Sequence, residues 1–308
     1  MTIPEKFTEE LTTLLEGWKN KGMAPIKELR QACGKLSWLS GILPKARWVV
    51  SIFYRVLHDR GDEERRRQAR EDDRAKNGLF AVKQLEQARL WLICFLGVAM
   101  QRPTRKFKLD VSKYPKATVI TDASPTGMGG VLLVNNRIIK AFSYKVTKED
   151  ANTLGFTADW KTSSSQGIVE TLAVLVALKE WQDQLKSCHL ELQVQADSMV
   201  ALSTMSKASN SSPILNFLGA EIAIQCEAIG IEGLRTVHIP GVANSVADFL
   251  SRQETWESVD KPPDLANVPI SKEDKARGPD FYVLPSPSAS PDLWGSSAVA
   301  NSVWASLR

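Results

Sequence analysis

The sequence is poor in the residues that build covalent or soft-metal scaffolds. Four cysteines, Cys33, Cys94, Cys188 and Cys226, are scattered over 308 residues with no CxxC pair. That spacing argues against a thiolate zinc site and against a disulfide framework, so a reducing compartment is expected. Long hydrophobic runs are also lacking. The longest, Leu90–Met100, is half of the roughly 20 residues needed to span a bilayer. The amino terminus, Met1-Thr-Ile-Pro, lacks a basic-then-apolar leader. The chain is therefore expected to be intracellular, nuclear or cytoplasmic, with no membrane partner.

Hydrophobic residues make up 43% and charged residues 24%, proportions that place the chain among ordinary globular proteins. The net charge of +4 conceals an asymmetry. The first 110 residues are basic in net and the remainder acidic. A basic front suits nucleic-acid phosphates, although it also serves solubility.

Residues 1–112 are expected to be α-helical. Phe7, Leu11, Leu14, Leu15 and Trp18 recur at helical spacing up to Gly22, and Pro25 opens a second helix bearing Leu29, Cys33, Leu36 and Leu39. Gly41–Pro44 breaks it before a third helix over 46–57. Lys45, Arg47 and Trp48 stand at this break. Basic and aromatic residues together can grip a nucleic-acid strand, or form a snorkelling surface around a core tryptophan. Residues 58–77 mix both charges in a run that reads as a solvated helix or linker. Helical periodicity returns over 79–100, and a basic stretch with Arg102, Arg105, Lys106 and Lys108 follows.

A second domain is expected over 113–256. Thr118-Val-Ile-Thr-Asp122 alternates β-branched residues as a half-buried strand ending on a carboxylate. A glycine-rich turn (Gly127, Gly129, Gly130) leads into the apolar run Val131–Val134. Asn135-Asn136 closes a hairpin, because Asn tolerates positive φ, and Arg137–Ser143 reads as a third strand. Lys145–Ser164 reads as irregular. Gln166–Leu185 is a long helix with Glu170 one turn inside it. His189–Ala196 alternates at period two and ends on Asp197. A helix over 198–207, a helix over 213–229 closed by Gly230, a strand over 234–239 and a last helix over 245–252 bearing Asp248 complete the pattern. From 257 to 308 the chain turns rich in Pro and Ser and is expected to be a disordered tail.

Two strands each ending in Asp, joined through a helix bearing Glu170, point to parallel neighbours with their carboxylates on one sheet edge. Asp248 can reach that edge. A lone Asp at a strand end is ordinarily a turn or cap residue. The ordered set Asp122, Glu170, Asp197, Asp248, on strand, helix, strand and helix, is harder to assign to coincidence. Such a cluster repels itself and calls for cations. Oxygen-only ligands point to Mg²⁺, with Mn²⁺ as the substitute. Two such ions suit in-line displacement at phosphorus.

These four motifs together resemble the ribonuclease H family, as found in retroelement polyproteins. Thr-Asp-Ala-Ser-Pro-Thr-Gly-Met-Gly-Gly-Val-Leu is similar to its first-strand motif. Val-Glu-Thr-Leu-Ala-Val-Leu-Val-Ala-Leu carries its helix glutamate, and Gln-Ala-Asp-Ser-Met-Val-Ala-Leu its second strand aspartate. His-Ile-Pro-Gly-Val-Ala-Asn-Ser-Val-Ala-Asp-Phe-Leu-Ser-Arg resembles the closing segment in its retrotransposon form. The resemblance covers about residues 116–252. It implies an α/β fold with a mixed five-stranded sheet of order 3-2-1-4-5 and flanking helices. It also implies hydrolysis of the RNA strand of RNA–DNA hybrids with two Mg²⁺ ions. In that scheme Asp122 bridges both ions, Glu170 and Asp197 hold the one on the leaving-group side, and Asp248 holds the one carrying the attacking water. The segment from Leu29 to Trp48 resembles the thumb and connection region after a reverse transcriptase palm, which makes such a palm an expected upstream partner. No Tyr-x-Asp-Asp polymerase motif is present. The segment 207–212 is too short for the basic handle of bacterial members, and the loop 241–244 has no His. Two alternatives remain open: a catalytically silent connection-type module that binds nucleic acid, and a transposase- or integrase-like nuclease on the same fold.

Overall fold

The computed structural model describes residues 2–58, 78–101, 117–156, 163–186, 191–206, 212–231, 233–252, 260–278 and 281. The chain divides into two compact units, 1–107 and 108–308.

The first unit is helical, as its periodicity predicts. It contains α1 (Glu5–Glu16), α2 (Ile26–Ile42), α3 (Arg47–His58) and α4 (Glu86–Met100). The stripe Leu11, Leu15, Leu29, Leu36 and Leu39 is fully buried. Trp18 lies at its centre, and its indole N–H donates to Glu28 Oε2 at 2.6 Å. The long apolar run in α4 becomes core, with Trp91 and Phe95 stacked at 4.7 Å. Periodicity misses one feature. Two three-residue strands, β1 (Met23–Pro25) and β2 (Leu79–Ala81), pair antiparallel. Runs so short carry no readable alternation; the pairing is decided by tertiary proximity. The charged stretch 59–77 lies outside the described residues.

The second unit is built on one mixed sheet. Its strands are β3 (Ala117–Ala123), β4 (Gly127–Val134), β5 (Arg137–Lys145), β6 (Glu191–Ala196), β7 (Gly233–His238) and β8 (Ile270–Ser271). The spatial order is β7-β6-β3-β4-β5-β8. Its first five members reproduce the expected order, and β8 adds a sixth. The hairpin β4–β5 turns on Asn135 and Asn136, with φ of 51° and 62°. The β3–β4–β5 pairs are antiparallel, whereas β3–β6, β6–β7 and β5–β8 are parallel.

Helices cover both faces. They are α5 (Lys148–Leu154), α6 (Ser163–Glu180), α7 (Gln182–Lys186), α8 (Met199–Ser206), α9 (Pro213–Ile229) and α10 (Ser245–Ser251). Helix α6 packs between β3–β4 and α9 and is buried almost all round. Its face of the sheet contributes Val119, Leu132 and Phe142 to the main core. The alternate residues, Ile120, Val131 and Ala141, face a smaller cluster with Phe249 and Leu250 of α10. Gly129 makes that second packing achievable. A β-carbon there would lie 2.5 Å from both Leu250 Cβ and Ser251 N. Helix α5, within a segment expected to be irregular, is set by a capping box between Thr147 and Asp150.

The expected domain end at 256 requires correction. Residues 260–278 and 281 belong to this unit and do not start a free tail. Pro269 O accepts from Ala141 N at 3.2 Å, and Tyr144 donates to Ser271 Oγ at 2.8 Å. Leu265 and Phe281 are buried. Arg277 is buried between Asp150 and Asp274 and also donates to Lys145 O. Proline-rich composition hides this docking because it uses isolated anchors and backbone pairing, which leave no period in the sequence. Residues 282–308 lie outside the described residues. Removing Arg277 takes this counter-charge from the buried Asp150 carboxylate, and breaking one half of a buried pair costs about 3–5 kcal/mol. Arg277→Met is therefore expected to lower urea-unfolding stability by about 3 kcal/mol, and a chain truncated after Asp260 is expected to melt earlier than the full chain. Unchanged unfolding midpoints would contradict the assignment of 260–281 to the domain.

Candidate active site

The parallel pairing of β3 with β6 sets the site. Its register, Ala117↔Leu192 through Ile120↔Gln195, sends both strands out at the same sheet edge. Asp122 lies near the end of β3, and Asp197 immediately follows β6. Glu170 comes from the second turn of α6, which packs on β3. Asp248 comes from α10, which packs on β3 and β4 from the other face. All four expected acids are thus brought to one edge. Asp122 and Glu170 are 7% and 6% exposed, which means their charge is held largely out of water. Asp197 and Asp248 are half-buried.

Neutral donors hold the buried pair. Ser251 donates to Asp122 Oδ2 at 2.8 Å. The Asn244 amide donates to Asp122 Oδ1 at 3.3 Å and to Thr121 O at 3.2 Å. Gln166 donates to Glu170 Oε1 at 2.9 Å, and the Ser198 hydroxyl also bonds Glu170. Helix α10 is itself fixed to the sheet. Ser124 donates to Ser251 O at 2.7 Å, and Ser143 donates to Leu250 O. Asp248 is engaged by Arg252, one turn on, with Nε and Nη2 each 2.7 Å from Oδ1.

Burial pushes the Asp122 carboxyl up to about 7, and the charges of Asp197, Asp248 and Glu170 push the same way against the Ser251 bond. Burial also raises Glu170, with Asp197 adding to it and Ser198 and Gln166 opposing. Three other carboxylates therefore act on Asp122, and their repulsion is the mark of a site that attracts cations. Asp197 Oδ1 is buried without a hydrogen-bond partner among the described residues. Its other oxygen looks onto Gly241, where a β-carbon would lie 3.4 Å away. An all-oxygen set with one orphaned carboxylate oxygen matches the chemistry of a hard divalent cation. Among the described residues, no three of these side chains are yet drawn tightly enough to hold an ion as they stand.

The candidate nucleic-acid contacts fare differently. Lys45 is half-buried in a single 3₁₀ turn, and Arg47 is exposed at the start of α3; both belong to the first unit. Arg102, Arg105, Lys106 and Lys108 lie outside the described residues. His238 is exposed on β7. Ser251, Asn244 and Arg252 support the acids without having been expected to, although all three sit inside the closing motif. Their spacing from Asp248 is the signal that could have found them. Gln166, one helical turn before Glu170, carries the same spacing signal, whereas Ser198 carries none.

The sheet order and the helices on both faces settle the architecture. The fold is ribonuclease H-like. No family model matches the chain, and no curated protein matches it. Solved structures do. A ribonuclease H1 isolated from compost by a metagenomic approach is 22% identical, covering 44% of this chain and 92% of that one, with a TM-score of 0.33. The same enzyme in complex with an RNA/DNA hybrid is 23% identical, with the same coverage and a TM-score of 0.34. The ribonuclease H1 of the halophilic archaeon Halobacterium salinarum is 16% identical over 47% of this chain and 99% of that one, with a TM-score of 0.34. Among the described residues, no helix is long and apolar enough to cross a membrane.

The raised carboxyls fix the sign of the pH dependence. A carboxyl whose folded pKa lies near 7, against about 4 unfolded, binds its proton more tightly in the folded state. Its stabilising effect is fully present below about pH 4 and is lost as pH rises through 7. In metal-free buffer the melting temperature is expected to fall from pH 5 to pH 8. Asp122→Asn should flatten that fall. Buried Glu221, also pushed up to about 7 by burial against the opposing Lys179, leaves a residual slope. Superimposable profiles for wild type and Asp122→Asn would refute the role given to Asp122.

Proposed function

We propose that this chain is a metal-dependent endonuclease that hydrolyses the RNA strand of RNA–DNA hybrids, as the back part of a retrotransposon reverse transcriptase polyprotein. The observation that carries the reading is the convergence of Asp122, Glu170, Asp197 and Asp248, each inside its family-like motif, on one edge of the sheet. The retroelement assignment rests on the Asn-Ser-Val-Ala-Asp-Phe-Leu-Ser-Arg segment and on the thumb-like helices.

In this reading the four acids would hold two Mg²⁺ ions. When bound, the metal supplies an activated water and stabilises the departing oxygen. The chain's own groups supply position. Ser251 and Asn244 fix both oxygens of Asp122, so its carboxylate is pre-aimed. Gln166 and Ser198 do the same for Glu170. The unpartnered Asp197 Oδ1 is the oxygen with most to gain from a cation. Replacing acids by neutral groups would relieve repulsion at the cost of metal affinity, which is why a functional site retains all four. A silent nucleic-acid-binding module is the second reading, favoured by one observation: Asp248 is already paired with Arg252.

Asp197→Asn keeps shape and removes one charge. Hybrid cleavage at equal Mg²⁺ is expected to fall by orders of magnitude while the circular dichroism spectrum is retained, and wild-type cleavage should stop in EDTA. Cleavage that persists in EDTA, or equal rates for the two proteins, would sink the nuclease reading. We also propose that Lys45, Arg47, Arg102, Arg105, Lys106 and Lys108 contact the hybrid backbone. Exchanging the last four for Gln should weaken hybrid binding without altering sequence preference. It should also flatten the salt dependence by about one unit of log–log slope for each phosphate no longer neutralised. An unchanged slope would remove these residues from the interface.

A further inference from the structure

We propose that Arg252 is the resident counter-cation of the acidic site: its guanidinium occupies Asp248 in the metal-free protein, and a divalent cation must displace it to bind. The inference rests on the metal-dependent reading above and concerns how that metal is admitted.

Arg252 follows the last residue of α10, one turn beyond Asp248, and presents two nitrogens to the same Oδ1 at 2.7 Å. Among the described residues, it is the basic side chain that bonds one of the four acids. Its charge also reaches Asp122, the most buried aspartate of the group. The other groups bound to the acids, Ser251, Asn244, Gln166 and Ser198, are neutral. They orient carboxylates without cancelling their charge.

The pair is built to yield. The Arg252 and Asp248 side chains are 58% and 40% exposed, so water screens their attraction. An i, i+4 pair of this kind holds only weakly. A divalent ion offers twice the charge to a hard carboxylate oxygen and also has the orphaned Asp197 Oδ1 to gain. Arg252 can then swing into solvent, or onto an anionic substrate, at little cost.

The test is isothermal titration of Mg²⁺ into the metal-stripped full chain at low ionic strength, for wild type, Arg252→Gln and Arg252→Lys. Thermal melts with and without Mg²⁺ accompany it. With the competitor removed, Arg252→Gln is expected to bind Mg²⁺ about two- to five-fold more tightly, the range set by the free energy of a screened pair. Its metal-free form should melt earlier, because four acids then lack their counter-charge, and its Mg²⁺-induced rise in melting temperature should be larger than wild type's. Arg252→Lys keeps the charge but loses the planar fork, and should fall between. Equal or weaker Mg²⁺ binding by Arg252→Gln, with wild type binding normally, overturns this proposal and leaves the metal-dependent reading standing. No Mg²⁺ binding by any of the three proteins overturns both.

Discussion

Four carboxylates held together against their own repulsion are the constraint on which the rest of the second unit depends. Isolated acids at this spacing would move apart or take up protons. Here they are fixed by elements whose stability comes from elsewhere. Helix α6 is committed by burial between the sheet and α9, so Glu170 cannot retreat. Strands β3 and β6 are committed by a parallel ladder through Ile120↔Gln195, and Asp122 and Asp197 each follow two residues later at the same edge. The apolar core thereby offsets an electrostatic cost concentrated at one place.

Helix α10 shows how narrow the tolerances are. It is only seven residues long and could not persist alone. It lies directly against β4 because Gly129 has no side chain, and two hydroxyls, Ser124 in the turn after β3 and Ser143 on β5, donate to its last carbonyls. That docking places Asp248, Ser251 and Arg252 over the end of β3. One hydroxyl, Ser251, then serves both halves of the arrangement, since it lies on the docked helix and donates to Asp122. The C-terminal segment secures the far edge of the same sheet. It pairs with β5 and buries Arg277 against Asp150, so the strand that neighbours β4 is not left as an open edge.

The four acids are legible in sequence because each ends a strand or lies on a helix with readable apolar periodicity, and because their order resembles a known motif set. The hairpin is legible too, since two successive asparagines are among the few residues that accept left-handed backbone. By contrast, β1 and β2 are not, because three residues are too few to show alternation. Neither is the docking of 260–281, where Leu265 and Phe281 are single anchors separated by polar chain. Helix α5 is hidden in a polar stretch whose capping box is clear only once Thr147 and Asp150 are seen bonded.

By itself, the sequence determined the helical character of the first unit and the succession of strands and helices in the second, which follow from short-range periodicity and local backbone preference that each segment carries within itself. The order of the strands in the sheet and the grouping of the four acids were legible only through the resemblance to a known family, because neither is a local property. Only the tertiary structure decided which oxygens are buried, which are bonded and which is left without a partner. It alone showed that Ser251 and Asn244 hold Asp122, that Arg252 occupies Asp248, and that the proline-rich segment closes the sheet. Those outcomes depend on contacts between residues more than a hundred positions apart, or on which way a side chain turns once its helix is docked, and no local pattern encodes either.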